Sequence, residues 1–147
     1  DILYVTSVMG SDRLHARGSI YAVSLRGKVV SRFTHLDPMG VGLGYVNGKK
    51  YLFFGNARNG DVYQLELDAK GRFAGQPVRI LTLRNLGERG DDKPRKIRIS
   101  NQGELLVSGI TFNFNLANAP EKMETIYKFA LHPENGWMLT GMAKGRM

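Results

Sequence analysis

"GDVYQLELDAKG", residues 60–71, alternates apolar and polar residues through a Tyr-centred core and then breaks at a Gly-bearing turn. Alternation of period two is the mark of a strand. The same phrase recurs as "GSIYAVSLRGK" (18–28) and "ETIYKFALHPENG" (124–136). A short apolar run precedes each copy: "LYVTS" (3–7), "LFFGN" (52–56) and "LLVSG" (105–109). Ahead of the second and third runs lies a further strand with its own turn, "GVGLGYVNGKK" (40–50) and "RKIRISNQGE" (95–104). After each Tyr phrase a weaker fourth strand follows, "VVSRFTHL" (29–36), "PVRILTL" (77–83) or "WMLTGMA" (137–143). Gly, Asn and Asp at the joints supply the backbone angles that tight hairpins require.

The unit is therefore a four-stranded antiparallel meander repeated at roughly 50 residues, the period of propeller blades. The expected fold is all-β: one β-propeller segment over 1–147, with blades at about 1–36, 39–86 and 93–147. The first unit lacks its leading strand, which leaves about eleven strands in all. Three blades do not close a ring, which takes about four to eight. A segment of a longer chain is expected, its sheet edges covered by further blades or by a partner chain. One face of the Tyr strand carries Tyr21, Val23 and Leu25, then Tyr63, Leu65 and Leu67, then Tyr127, Phe129 and Leu131. That face is expected to pack on a neighbouring blade, with the opposite face partly wet. The three tyrosines are read as core residues whose hydroxyls find polar partners at a blade edge, in preference to an aromatic ligand ladder.

Bulk composition narrows the function classes. With 42% apolar and 23% charged residues the chain is folded and globular in character, not disordered. No run reaches the eighteen or so apolar residues of a membrane-spanning helix. The absence of cysteine excludes disulfide frameworks, thiolate zinc sites and cysteine nucleophiles. The net charge of +8 favours anionic partners, but Lys and Arg are scattered and cluster only at "KPRKIR" (93–98). With no RNP-like aromatic motif beside them, no specific nucleic acid is expected. No leader-like succession opens the chain, and an extracytoplasmic compartment is slightly favoured.

Several residues carry a more specific likeness. Pro38, Gly40, "NGKKYLFFGNARNGDVYQLELDAKG" (47–71) and "KPRKIRISNQGELLVSG" (93–109) followed by "IYKFAL" resemble the regucalcin/gluconolactonase family and its NHL-repeat relatives. The resemblance implies a six-bladed propeller. It also implies a lactonase or esterase activity with a divalent cation, usually calcium, held by Asn or Asp where the inner strands begin. This chain has Pro38-Met39-Gly40 and Pro94-Arg95-Lys96 at those places. A thioether is too soft for calcium and a guanidinium repels it. No cofactor is therefore expected, and calcium only if other blades supply the ligands. A fainter likeness points to sugar dehydrogenases that use pyrroloquinoline quinone.

Ligands of propellers meet the loops that join second to third strands and one blade to the next. The candidate ligand-binding residues on that face are Arg13, His15, Arg17, Asp37, Asn56, Arg58, Asn59, Asp91, Asp92, Arg95, Asn113 and Asn115. His15 among Asp12, Arg13 and Arg17 has the makings of a general base or of an exposed loop histidine. Asp91 and Asp92 beside Lys93 read as a metal or acid/base pair, or as a self-neutralising turn. Asn113 and Asn115 alternate with Phe112 and Phe114, which suits a sugar or a peptide backbone. His35 and His132 have no metal-spaced partner in sequence, and Trp137 is expected to cover the outer edge of its blade. The expected function is a binding scaffold for a protein or glycan; the alternative is a calcium-dependent lactonase or esterase.

Overall fold

A computed structural model describes residues 1–7, 18–35, 37–87, 92–110 and 123–146. The described residues form eleven strands and no helix. β1 (Ile2–Ser7), β2 (Gly18–Ser24) and β3 (Val29–His35) make a three-stranded sheet in chain order. β4 (Pro38–Val46), β5 (Lys49–Asn56), β6 (Asp61–Glu66) and β7 (Val78–Thr82) make the second sheet, again in chain order. β8 (Lys93–Ile99), β9 (Leu105–Ile110), β10 (Met123–His132) and β11 (Gly136–Arg146) make the third. Every pairing within them is antiparallel between sequence neighbours. These are three consecutive propeller-like blades, the first with three strands among the described residues.

One turn is written three times. At Ser24, Asp68 and Ser100 the backbone N–H bonds to the carbonyl four residues on, and the glycine three residues on bonds back. The side chain of the first residue accepts the N–H of the fifth, at 3.2, 2.9 and 3.1 Å. The fourth residue, Gly27, Gly71 or Gly103, has φ near +80°, open to glycine at little cost. "SLRGK", "DAKGR" and "SNQGE" are thus one device with one physical requirement, a short acceptor first and glycine fourth.

Packing between blades makes the core. Ile20 of the first blade meets Leu52, Phe54, Leu65 and Leu67 of the second. Phe53 and Val62 of the second blade meet Ile97, Leu105, Val107, Tyr127 and Phe129 of the third. Adjacent residues of β5 therefore point into different cores, so its run "LFF" is continuous where a half-exposed strand would alternate. Each fully buried side chain of this size contributes about 1.5–3 kcal/mol.

Two expectations need correction here. The division of the Tyr strand into a packed and a partly wet face holds in the third blade, where Tyr127 and Phe129 are buried and Ile126 exposed, but not in the second, where Val62, on the supposedly wet side, is as fully buried as Leu65. In the first blade the order is inverted, with Ile20 and Ala22 buried and Leu25 exposed. The reason is neighbours: a blade is covered on each side where another blade stands. Trp137, expected on an outer edge, instead sets its ring edge-on to Phe53 of the second blade, centroids 6.3 Å apart. Its strand, β11, is also the longest among the described residues at 11 residues, not a weak one.

The inner strands β4 and β8 lie close enough for backbone contact. A Cβ on Gly42 would sit 2.5 Å from the Ile97 carbonyl oxygen, and one on Gly44 2.5 Å from Ile99 Cγ1. Gly40, Gly42 and Gly44 thus open one side of β4 so that Ile97 and Ile99 can reach the core. Both inner strands bulge just after their first proline, at Gly40 and at Arg95.

Candidate ligand-binding face

The β5–β6 turn, the start of β4 and the end of β7 converge at one end of the second blade, and hydrogen bonds stitch them together. Ala57 N–H donates to the Asp37 carbonyl at 3.1 Å, and Leu83 N–H to the Gly60 carbonyl at 2.8 Å. Asn56 is buried and its Oδ1 accepts the Arg58 N–H at 3.0 Å. Asn59 Oδ1 likewise accepts the Asp61 N–H at 3.0 Å. Both asparagines hold the turn with their side-chain oxygens. Arg58 Nε donates to the Asp37 carboxylate, which locks the blade-to-blade loop onto the turn.

Asp61 is the hub. It is buried at the first position of β6, yet ion-paired to Arg79 Nη1 at 3.8 Å and Arg84 Nη2 at 3.5 Å. Its Oδ1 accepts no hydrogen bond among the described residues. The two arginine side chains are 59% and 51% exposed, so each guanidinium shows solvent one side and the carboxylate the other. Thr82 Oγ1 fixes Arg84 further by accepting its backbone N–H at 3.3 Å and its Nε–H at 3.5 Å.

The position recurs. Ser19 and Thr125 stand where Asp61 does, one residue into the Tyr phrase or its approach, and both are buried. Arg32, opposite Tyr21, occupies the place of Arg79, opposite Tyr63. It reaches the Ser19 hydroxyl at 3.4 Å and lies 5.6 Å over the Tyr21 ring. In the third blade the residue opposite Tyr127 is Met142 and the column loses its cation.

A second polar centre lies at the third blade. Tyr127 OH donates to Asp92 Oδ2 at 2.5 Å, both residues buried. Burial first, and then the Asp92 carboxylate, raises the phenol well above its ordinary value. A Cβ on Gly87 would come 2.6 Å from that hydroxyl, so only glycine fits there. The three tyrosines do not form a ladder: Tyr63 stacks on Phe54 at 5.4 Å, Tyr127 on Phe129 at 6.5 Å, and Tyr21 lies under Arg32.

Of the residues expected from sequence, Asp37, Asn56, Arg58 and Asn59 come together at the β5–β6 turn, and Asp92 joins Tyr127. Arg95 sits in the β8 bulge with its carbonyl against Gly40. Arg13, His15, Arg17, Asp91, Asn113 and Asn115 lie outside the described residues. Asp61, Arg79 and Arg84 were not anticipated, since an Asp after "NG" reads as part of a turn. Their signal was the alignment of Ser19, Asp61 and Thr125 at one column of the repeat.

The donor set does not fit a calcium ion. Asp37 and Asp61 are neutralised by guanidinium groups, and Asp92 accepts a hydrogen bond from the Tyr127 phenol. No group of three His, Asp or Glu able to hold a metal occurs among the described residues. No helix of the described residues is long and apolar enough to cross a membrane. No protein-family model matches the chain, and no curated protein is detectably similar in sequence.

Proposed function

We propose that the chain is part of a propeller scaffold that binds a protein or glycan through this loop face, at acidic groups of the partner. One observation carries the reading: a buried carboxylate, Asp61, holds two half-exposed arginines in fixed places. Preset guanidinium forks lose little side-chain entropy on meeting a carboxylate or sulfate, and they pair with it bidentately. The net charge of +8 adds attraction at longer range. The likeness to regucalcin and gluconolactonase propellers is, on this reading, one of architecture.

Immobilised heparin and polyglutamate are the probes. The double variant Arg79→Ala, Arg84→Ala should lose about tenfold or more in affinity, the loss of two charge-assisted bonds. The control, Arg26→Ala with Lys28→Ala, removes the same charge from the β2–β3 turn of the first blade and should lose much less. Equal losses in both would reduce the binding to overall charge and refute the proposal. A lactonase would instead show a higher Tm in millimolar calcium, through ligand linkage; no rise is expected.

A further inference from the structure

We propose that the ligand of the Asp61 hub is a uronate unit of a glycan, its carboxylate paired with Arg79 and Arg84 and one of its ring hydroxyls donating to Asp61 Oδ1. The inference rests on the loop-face reading above and narrows its partner from any acidic group to one chemical class.

The hub lies on the second blade, which has a described blade packed on each side. The Asp61 side chain is 4% exposed, and its Oδ1 is buried with no hydrogen-bond donor among the described residues. Arg84 Nη2 stands 3.5 Å away, near enough to neutralise the charge and too far for a good hydrogen bond. Arg79 Nη1 approaches the other oxygen, at 3.8 Å. The matching place in the first blade is better satisfied: the Ser19 hydroxyl has Thr34 Oγ1 at 3.3 Å and Arg32 Nη2 at 3.4 Å. A buried carboxylate oxygen left without a donor is costly, so a ligand that supplies one binds more tightly for it. Both arginine side chains are more than half exposed, and Thr82 holds Arg84 at its Nε rather than at its tip. A small turn of that tip opens Oδ1 to the ligand, and the guanidinium exchanges one carboxylate partner for another.

The missing donor selects the class. An ionised Asp or Glu side chain of an acidic peptide brings only acceptors to the hub and sets a like charge against Asp61. A uronate carries its carboxylate and its free hydroxyls on one rigid ring, so the acceptor meets a guanidinium fork while the donor meets Oδ1. Little conformational freedom is lost in the pairing, because ring and forks are both set beforehand.

The probes are oligogalacturonate, the same oligomer with its hydroxyls O-methylated, and an oligoglutamate with as many carboxylates, each titrated into the whole chain by calorimetry at one ionic strength. Oligogalacturonate should bind about tenfold or more tighter than either of the others, the effect of one hydrogen bond to a charged group. Asp61→Thr places there the residue that the third blade carries; it removes a negative charge, yet it should abolish the preference. Equal binding of the three probes, or tighter binding of oligoglutamate, overturns the uronate assignment and leaves the arginine face standing, provided that Arg79→Ala with Arg84→Ala still weakens all three. If that double variant changes nothing, the loop-face reading itself falls and the assignment with it. A preference that persists in Asp61→Thr puts the sugar elsewhere on the chain and overturns the assignment as well.

Discussion

At the scale of single residues, the Tyr127–Asp92 bond makes the sharpest prediction. A buried hydrogen bond to a charged group contributes about 1.5–3 kcal/mol, so Tyr127→Phe should lower the stability by that amount in urea denaturation at neutral pH. The phenol's folded pKa lies above its ordinary 10.0. The folded state therefore keeps a proton that the unfolded chain releases, and this contribution is complete below pH 10 and fades as pH rises beyond it. The gap in stability between wild type and Tyr127→Phe should narrow above pH 10; a constant gap would show that the hydroxyl is not held as described. Asp68 behaves in the opposite sense. The Arg72 backbone N–H, then the Arg72 side chain and the Lys70 N–H, hold its carboxyl below the ordinary 3.8 against a smaller opposing effect of burial. Its contribution is present above pH 4 and lost as pH falls below it. Asp68→Asn should accordingly flatten part of the acid limb of the stability curve, measured by thermal melts between pH 2 and 5.

At the scale of elements, the β4–β8 contact is the place where one methyl group decides the packing. Gly42→Ala pushes a Cβ onto the Ile97 backbone, an atom that cannot rotate away. The cost of such overpacking is about 1–3 kcal/mol, whereas Gly145→Ala, with nothing within 4 Å, should stay within about 0.5 kcal/mol. Equal effects would mean that the inner strands are not in backbone contact. The strands themselves were legible in the sequence because the Tyr phrase repeats, and one turn device, a short acceptor with glycine three residues on, closes the hairpins at Ser24, Asp68 and Ser100. What repetition does not encode is the neighbour. Val5 and Phe54 stand at the same place in the repeat, yet one is exposed and the other buried, because a described blade stands on only one side of the first sheet. For the same reason Trp137 reads as an outer residue although it reaches Phe53 across the blade boundary. The site follows the same division: Asp37, Asn56, Arg58 and Asn59 sit in a visible turn, whereas Asp61 finds its arginines through strand pairing, between β6 and β7.

At the scale of the whole molecule, the two end blades bear the faces that the middle blade buries. Leu3 and Val5 hold the places of Leu52 and Phe54, which are fully covered in the second blade, and both are exposed. At the other end Ile126 holds the place of Val62 and is exposed as well. The two faces differ, and each has the character of one side of an existing blade interface. Expressed alone, residues 1–147 should therefore meet a second copy head to tail, third blade against first, in a heterologous contact. Sedimentation velocity over a concentration series should show weight-average mass rising with concentration. Val5→Lys should suppress the rise, because a buried unpaired ammonium is costly in an apolar interface. Ile126→Lys should do the same from the opposite end. The mixture of the two variants separates this arrangement from a symmetric one: head-to-tail pairing leaves one intact face on each variant, so a mixture recovers dimers but no longer species. If either variant alone associates as the wild type does, or if the mixture stays monomeric, the end faces do not pair in this order.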